Sequence, residues 1–522
     1  MVIHPDAESD SKIDAGATAT AYELGIASDH IADTKGADGV LRYAAAIAVE
    51  IDEPTNKRLL RLIDYHVLPW LCGLYILQYL DKGVLSYAGV MGLQKELHMD
   101  SLQYSWLGSI YYVGYIPAVP LHNRLMQRFP PSKYIAVCMA LWGVVLTTMA
   151  ACDSWAGLMV QRTALGSLEA SVNAGFMLVT ASWYRKYEHA SRVGTWSACV
   201  GLANIIGGAI AYGCVAGYES HPSAKFTSWK ILALCTGLIS VVYGICMYLF
   251  LAGSVVTASW LSEDDRILAV ERLRGNHQGI GSTKYKKYQA KEAWLDYRTW
   301  TYVLFVLSSQ IPAAGLVLFN SVLIKSLGFD TKTTLLLSMP GGLVNICCNY
   351  GFGWLADRTK KRLLACILAN LISIFGAALF IGLGNVSPLH DRIGQLVGYY
   401  LMSGSSSTAW FLIISLMSSN VLGYTKKTSS NAIVFVFQGL AYFVGPLCFT
   451  DGPYYHKAKD MTIGLWTAST ALLAVMWLLN HRENAKRDQE MAAKGVSEQA
   501  AATELAFHDL TDKENKGFRY VT

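Results

Sequence analysis

Apolar runs of about 20 residues repeat along most of the sequence, and this repetition limits what the chain can fold into. An α-helix rises about 1.5 Å per residue, so a run of that length crosses the hydrocarbon core of a bilayer. Charged residues make up only 16% of the chain, below the roughly 25% typical of soluble domains. We therefore expect an all-α membrane protein with twelve transmembrane helices embedded in the lipid bilayer. Their approximate limits are 67–87, 104–125, 134–152, 155–180, 194–214, 229–251, 301–321, 335–355, 363–384, 395–419, 430–449 and 463–480.

The longest hydrophilic interruption separates the sixth span from the seventh, so it divides the spans into two sets of six. Duplication of this kind is typical of transporters, which bind solute between the halves. Both ends of the chain are polar, and we expect them to be mobile. The predicted parts are a cytoplasmic N-terminal tail at 1–57, an N-terminal six-helix half at 58–253, a cytoplasmic central loop at 254–298, a C-terminal six-helix half at 299–480 and a cytoplasmic C-terminal tail at 481–522.

Basic residues in the loops predict the orientation of the chain. The loops after spans 2, 4, 6 and 8 are rich in Lys and Arg, whereas loop 3–4 has neither. Positive charge marks the cytoplasmic side, so both termini are expected inside. Asn385-Val386-Ser387 in loop 9–10 is then a glycosylation sequon on the outer face. Pro388 and the shortness of that loop argue against its use.

The central loop contains a signal for a helix N-terminus. Ser262 can accept a hydrogen bond from a free backbone N–H, and the acids at 263–265 complement the helix dipole. Apolar residues follow at 267, 268, 270 and 273. We expect a short amphipathic helix on the cytoplasmic leaflet, with a plain linker as the alternative.

Several kinds of chemistry lack a signature. The sequence has no P-loop of the G-K-[ST] type, no H-E-x-x-H and no G-x-S-x-G. The 12 His are dispersed, and the 11 Cys form no C-x-x-C. The net charge of +5 is spread over the loops. We therefore predict neither an enzyme nor a nucleic-acid-binding protein, and neither cofactor nor metal. An ion or solute gradient would supply the energy.

Span 4 carries opposite charges inside an apolar run. At 100° per residue, Arg162, Gly166, Glu169 and Asn173 fall on one narrow stripe. Charges within a span face a protein interior or a watery cavity, and they are functional candidates. Arg162 could pair with a substrate carboxylate or hold an acid in a charge network, and Glu169 could exchange a proton. The alternative is a static pair, although a spacing of seven residues is long for direct contact.

Span 1 has a second polar face. Gln78 and Lys82 share this face with tyrosines, and Asp81 lies beside it. A cavity lining explains the pattern. The alternative is an Asp81–Lys82 pair that is neutralised near the outer interface, where Lys can extend to water. The complete face consists of Tyr75, Gln78, Tyr79, Lys82 and Ser86.

Two further patterns concern packing and selectivity. Span 5 has small residues every four positions, which favours close helix packing over binding. The C-terminal half carries neutral amides that suit a polar organic solute, with interhelical hydrogen bonding as an equal alternative. The small residues are Ala203, Gly207, Ala209, Gly213 and Gly217, and the polar set is Gln310, Asn320, Asn345, Asn349, Asn431 and Gln438.

Loop 8–9 reads GWLADRTKKR at 353–362. It resembles the G-x-L-A-D-R-x-G-R-[KR] signature of the major facilitator superfamily, with Lys360 in place of the second Gly. The resemblance implies that Asp357, Arg358 and Arg362 latch one conformer. Leu158-x-x-x-Arg162-x-x-x-Gly166 is similar to the superfamily's span-4 motif, which is implicated in proton coupling. Span 5 lacks the Gly-Pro element of drug:proton antiporters, which favours symport.

Further motifs resemble the fungal allantoate permease family, the anion:cation symporters. This resemblance implies import of a small carboxylate, such as allantoate, ureidosuccinate, nicotinate, pantothenate or biotin, together with a proton. The motifs are LDK at 80–82, SYA at 86–88, QYSWLGSIYY at 103–112, WY at 183–184 and DLTDxENxxFRY at 509–520.

Three functions are compatible with these features. The first is proton-coupled import of a small organic anion through the plasma membrane by a monomer, in which Arg162 attracts the carboxylate and Glu169 or Asp81 carries the proton. The second is a metabolite exporter or a carrier of a cationic solute such as thiamine. The third is a nutrient sensor without transport, although neither terminus is elaborate enough for a signalling tail.

Overall fold

The computed structural model describes residues 51–126, 128–221, 226–278, 286–386, 391–452, 455–494, 510–515 and 517–521. Helices form all the regular structure in these ranges. The N-terminal half contains α1 Glu53–Val90, α2 Leu93–Glu96, α3 Ser101–Met126, α4 Pro131–Thr148, α5 Trp155–Glu169, α6 Ser171–Trp183, α7 Lys186–Ser220 and α8 Ser228–Phe250. Two helices occupy the central loop, α9 Glu263–Gln278 and α10 Lys287–Leu295. The C-terminal half contains α11 Tyr297–Lys325, α12 Thr331–Thr359, α13 Arg362–Val386, α14 Arg392–Ser405, α15 Thr408–Asn420, α16 Tyr424–Leu447 and α17 His456–Lys494.

Within the part of the chain that the structure describes, 10 helical segments are long and apolar enough to cross a membrane. One of them joins α14 and α15 across residues 392–420. The two remaining predicted spans depart from a plain apolar helix. Span 2 is α3, whose tyrosines and hydroxyls lower its hydropathy, and span 4 is divided into α5 and α6 at Ala170.

The apolar core consists of three clusters. One cluster draws only on residues between 63 and 269, and a second only on residues between 302 and 476. The third contains residues from both halves, including Tyr104 and Phe319, whose ring centroids lie 5.5 Å apart. This division agrees with two six-helix bundles that share one interface, while the exact boundaries of the parts stay a prediction.

Polar contacts between the halves gather at the end of the bundle that the loop charges predict to be outside. The Ser321 N–H donates to Ser86 Oγ at 3.0 Å, and Lys325 Nζ donates to the Val90 carbonyl at 2.6 Å. Lys332 forms an ion pair with Glu219 at 2.5 Å. These residues lie at the outer ends of α1, α7, α11 and α12, so this end of the interface is closed.

The structure contains the helix predicted in the central loop as α9, and its placement on the cytoplasmic leaflet stays a prediction. Ser262 Oγ accepts a hydrogen bond from the Asp265 N–H at 3.2 Å at the start of α9. The helix packs on protein, because Arg272 is buried and donates to Asn56 Oδ1 at 2.9 Å and to Glu188. Arg58 contacts Asp265 and holds the pKa of that carboxyl below its usual value. Helix α10 was not predicted.

The prediction of a mobile C-terminal tail is wrong for residues 510–515 and 517–521, which pack on the helices. The helix of span 12 does not end near 480, because α17 continues to Lys494. Further along the chain, the tail packs on the inner end of the C-terminal half. Asp512 and Thr511 are both buried there.

Close helix packing along span 5 is present, but at positions other than most of those predicted. A Cβ atom on Gly201 would lie 2.3 Å from the carbonyl oxygen of Gly342 on α12. By contrast, a Cβ on Gly213 or Gly217 would meet no atom within 4 Å. Only the absence of a side chain allows α7 and α12 to approach this closely.

Gly201→Ala should therefore weaken the contact between the two halves. Overpacking of a tight contact costs about 1–3 kcal/mol, so we expect a lower midpoint of thermal unfolding in detergent. Gly217→Ala on the same helix is the matched control and should not lower the midpoint, because the added Cβ meets no atom and alanine favours the helix. Equal midpoints for the two variants would contradict the close contact.

Lys360 ends α12 in a left-handed conformation, with φ of 55°. This is the position at which the superfamily signature places glycine. A side chain in this region costs roughly 1–2 kcal/mol, which glycine avoids. The departure of the sequence from the signature therefore leaves the backbone geometry intact but strained.

Lys360→Gly should relieve this strain and raise the unfolding midpoint, by an amount equivalent to about 1 kcal/mol. Lys361→Gly, at a neighbouring position without positive φ, should give no gain. Thermal unfolding of the two purified variants compares them directly, and a gain for Lys361→Gly alone would refute the explanation.

Candidate solute and proton site

Close packing of α5 against α3 positions the charges of span 4. A Cβ on Gly166 would lie 2.0 Å from the Tyr111 carbonyl oxygen, and one on Gly114 would lie 2.1 Å from that of Thr163. The two helices therefore touch through glycine on both sides. This contact brings the Tyr111 side chain to Glu169 in the last turn of α5.

Arg162 is buried without a carboxylate partner. Its side chain is only 3% exposed, and its guanidinium donates to the sulfur of Met149 at 3.7 Å. Nε makes no hydrogen bond. No acidic oxygen among the described residues lies within 4.0 Å, so the static Arg162–Glu169 ion pair is not formed.

Glu169 is fully buried, and only one of its two carboxylate oxygens accepts a hydrogen bond. The Tyr111 hydroxyl donates to Oε2 at 2.7 Å, while Oε1 has no partner. Lys82 and Arg162 both attract this carboxylate electrostatically across distances too long for an ion pair. The protonation state of a carboxylate in this position can respond to a change at either cation.

Asp81 points away from Lys82, towards α4 and α8. Its Oδ2 accepts hydrogen bonds from Trp142 Nε1 at 2.9 Å and Ser240 Oγ at 3.1 Å, and its Oδ1 has none. Lys82 instead lies over the Tyr79 ring, 5.1 Å from its centroid. The alternative of a neutralised Asp81–Lys82 pair at the interface is therefore not what the structure contains.

Unpartnered polar atoms concentrate around these charges. Gln78 is buried with both amide atoms unpaired, and Gln161 has a free Oε1. Burying a polar atom without a hydrogen-bond partner costs about 1–3 kcal/mol of folding free energy. A group of such atoms therefore marks a place that can bind a polar ligand. The group comprises Gln78, Asp81, Gln161, Arg162 and Glu169.

Aromatic rings flank the charges. Tyr75 packs on Trp196 with ring centroids 4.8 Å apart, and Asn173 donates to the Tyr115 hydroxyl at 2.8 Å. Tyr112 contacts Tyr442 of the C-terminal half at 5.3 Å. The tyrosines of α3 were missed as site residues, although Tyr111-Tyr112-x-x-Tyr115 places three hydroxyls on neighbouring faces of one helix.

The amides of the C-terminal half divide into two groups. Asn345 donates to the Gly404 carbonyl at 3.0 Å and to Ser407 Oγ at 2.9 Å, and it accepts from Asn349 at 3.0 Å. These bonds tie α12 to the region between α14 and α15, which favours a packing role. Gln310 is buried beside Ser309, and Gln438 is half-buried on α16.

The predicted latch residues lie apart from this site. Asp357 and Arg358 are exposed, and Arg358 lies 5.1 Å from the Trp354 ring centroid. Arg362 donates to Ser419 Oγ at 2.5 Å, which joins α13 to α15. The latch stays a prediction. Asn385 belongs to the last turn of α13, and the rest of its sequon beyond Val386 lies outside the described residues.

Comparison with known families matches residues 71–446 to the sequence model of the Major Facilitator Superfamily. An uncharacterized transporter of Schizosaccharomyces pombe is 36% identical, covering 93% of this chain and 94% of its own. The allantoate permease of Saccharomyces cerevisiae is 34% identical over 91% of this chain and 88% of its own. A thiamine pathway transporter of the same yeast is 33% identical over 90% and 87%.

Solved structures share the fold. A bacterial homologue of the human lysosomal transporter Spinster, in an inward-facing and occupied conformation, gives a TM-score of 0.59 at 12% identity, covering 79% of this chain and 96% of its own. A D-xylose–proton symporter gives a TM-score of 0.58 at 14% identity, covering 79% and 97%.

The Trp142–Asp81 hydrogen bond can be tested by stability. Trp142→Phe removes the indole donor, so unfolding should become easier by about 1–3 kcal/mol because the buried carboxylate loses a partner. In an Asp81→Leu background the same substitution should cost less, since the acceptor is gone. Thermal unfolding of the four proteins measures the difference, and an equal loss in both backgrounds would exclude the coupling.

Proposed function

Because the chain belongs to the major facilitator superfamily of transporters, which are not enzymes, we propose that it imports a small organic anion together with a proton. The solute class is a vitamin, a ureide or another carboxylate. The halves would alternate in opening to the two sides of the membrane. The yeast relative named allantoate permease supports a carboxylate solute.

The observation that carries the proposal is the buried guanidinium of Arg162, which has no carboxylate within ion-pair distance among the described residues. Arginine presents donors in a planar fork that matches a carboxylate, and its charge persists when buried. A solute carboxylate would supply the missing partner. Gln78 and Lys82 on α1 then offer an amide and a second positive charge to the same solute.

The two buried acids supply the proton site. Glu169 and Asp81 both attract Arg162 electrostatically, and each has one oxygen without a partner. Protonation of either acid weakens its attraction for Arg162 and frees the guanidinium to hold the solute. Proton and anion would then bind in a mutually dependent way, which is the requirement for symport.

Selectivity and placement complete the proposal. The Tyr75–Trp196 aromatic group would pack on the body of the solute, and Gln310 and Gln438 would contribute amides from the opposite half. The closed outer end of the interface leaves the site to open towards the termini. The basic loops support cytoplasmic termini, and the protein would act in the plasma membrane as a monomer.

Arg162→Ala should reduce uptake at least tenfold, because truncating one partner of a buried charge pair with the solute costs about 2–5 kcal/mol. The measurement is labelled uptake in a host without related permeases, competed with a panel of vitamins, ureides and carboxylates. Arg124→Ala, at an exposed position on α3, is the control. Normal uptake by Arg162→Ala at the same surface amount would make the assignment wrong.

Proton coupling has a separate test. Glu169→Gln and Asp81→Asn each remove one titratable group while keeping its shape. The variant that lacks the coupling acid should exchange solute across the membrane yet fail to accumulate it against a gradient. If both variants accumulate solute in a pH-dependent manner, neither acid carries the proton.

A cation carrier or exporter is the second candidate. Two buried acids among tyrosine rings also suit a cationic ring, and one relative is named a thiamine pathway transporter. Competition by a thiamine-like cation but not by carboxylates, or transport that ignores an inward proton gradient, would favour this candidate.

A further inference from the structure

The C-terminal segment of residues 510–515 and 517–521 lies on the end of the C-terminal half that the loop charges predict to be inside. We refer to it as the strap. It contacts residues of α15 and α17, the loop before α11 and the first turn of α16. These elements are distant in sequence, so the strap brings the inner ends of spans 7, 10, 11 and 12 onto one short peptide. Its side of the contact consists chiefly of Asp512, Phe518, Tyr520 and Val521.

The strap completes a buried ion cluster around Lys426. This lysine is 1% exposed, and Nζ lies 2.7 Å from Asp296 and 2.9 Å from Glu292. Asp512 of the strap supplies a third carboxylate at 2.7 Å. The three carboxylates have the spacing of a cation site, and the Lys426 ammonium, with three N–H donors, takes the place of the cation.

The charges in this cluster depend on one another. Burial would raise the pKa of the Asp296 carboxyl, but Lys426 and Lys513 hold it below its usual value. Removing one partner from such a buried cluster leaves the others uncompensated, which is strongly destabilising. Asp512 is the one member of this cluster that belongs to the strap, so the cluster depends on docking of the strap.

The strap is held at two anchors, of which the Lys426 cluster is the first and Arg487 is the second. It is buried on the extended inner part of α17 and donates to the carbonyl oxygens of Asp512 and Phe518, both at 2.9 Å. Its guanidinium also faces the Tyr520 ring, 4.8 Å from the centroid. The Tyr520 hydroxyl donates to Asp512 Oδ2 at 2.7 Å, which links the two anchors.

Asparagines pair with the strap backbone. Asn420 at the end of α15 donates to the Val521 carbonyl at 3.0 Å and accepts from the Val521 N–H at 2.7 Å. Asn484 on α17 makes the same two-way contact with Tyr520, at 2.8 and 2.9 Å. Such amide pairs fix the register of an extended peptide.

We propose that the strap is an intramolecular ligand that ties the inner ends of four spans of the C-terminal half into one unit, and that it stays docked through the transport cycle. The contacts described above all fall on this half or on the loop before it. Movement of one half against the other therefore leaves them intact. The strap would make the half rigid enough to transmit closure of the outer end to the inner end.

The first experiment tests docking in the full-length protein and needs no solute. Trypsin can cut after Lys513, whose side chain is 44% exposed, once the strap leaves its cradle. Asp512→Ala should speed release of the terminal peptide at least tenfold by mass spectrometry. Asp460→Ala, an exposed acid at the far end of α17, is the control. Unchanged protection in Asp512→Ala would overturn the role of the Lys426 cluster.

The second experiment tests whether the strap stays docked during transport. Asn480→Cys and Val521→Cys, at positions whose amide and carbonyl lie 3.2 Å apart, are joined by a short bis-methanethiosulfonate, which forms one disulfide with each thiol and releases methanesulfinate from each end. The coupled protein should take up the solute that the unmodified chain transports. Its uptake rate should stay within twofold of the rate measured for the uncoupled protein. Loss of uptake after coupling would show that the strap must leave, which overturns the proposal. Should Asp512→Ala misfold, Tyr520→Phe removes one hydroxyl and should still release the strap several-fold faster.

Discussion

Uncompensated charge inside a membrane-spanning bundle is the constraint on which the rest of this structure depends. Arg162, Glu169 and Asp81 are all buried, yet no two of them form an ion pair. Their hydrogen bonds come from neutral groups, such as Tyr111 and Trp142. Because neutral donors only partly offset burial, the charges interact at longer range and stay responsive to a bound proton or anion.

Glycine contacts allow this arrangement to form. The α3–α5 approach at Gly114 and Gly166 fixes where Tyr111 meets Glu169, and the α7–α12 approach at Gly201 and Gly342 packs the two halves together. In a bilayer, lipid offers little apolar driving force for helix association, so tight van der Waals contact carries it. The site and the interface thus rest on the same kind of packing.

The twelve spans, the charged stripe of span 4 and the central-loop helix could all be predicted, because hydropathy, helical periodicity and capping act over short stretches. The side chains that a residue contacts across the bundle could not be predicted. Nothing near Asp81 in the sequence indicates that Trp142 and Ser240 face it, since those contacts depend on how helices rotate and pack. Asn345 illustrates the same limit, because its neighbours alone cannot distinguish solute binding from packing.

Asp512 follows all the spans in the order of the chain, and this order has a consequence for biosynthesis. Every span is translated before this residue. Until then Lys426 has only two of its three carboxylates, and Arg487 lacks the carbonyls that it binds. The C-terminal half therefore reaches its final packing only after the strap is translated, and a stop codon between Lys494 and Asp512 would leave every span made but this half unfinished.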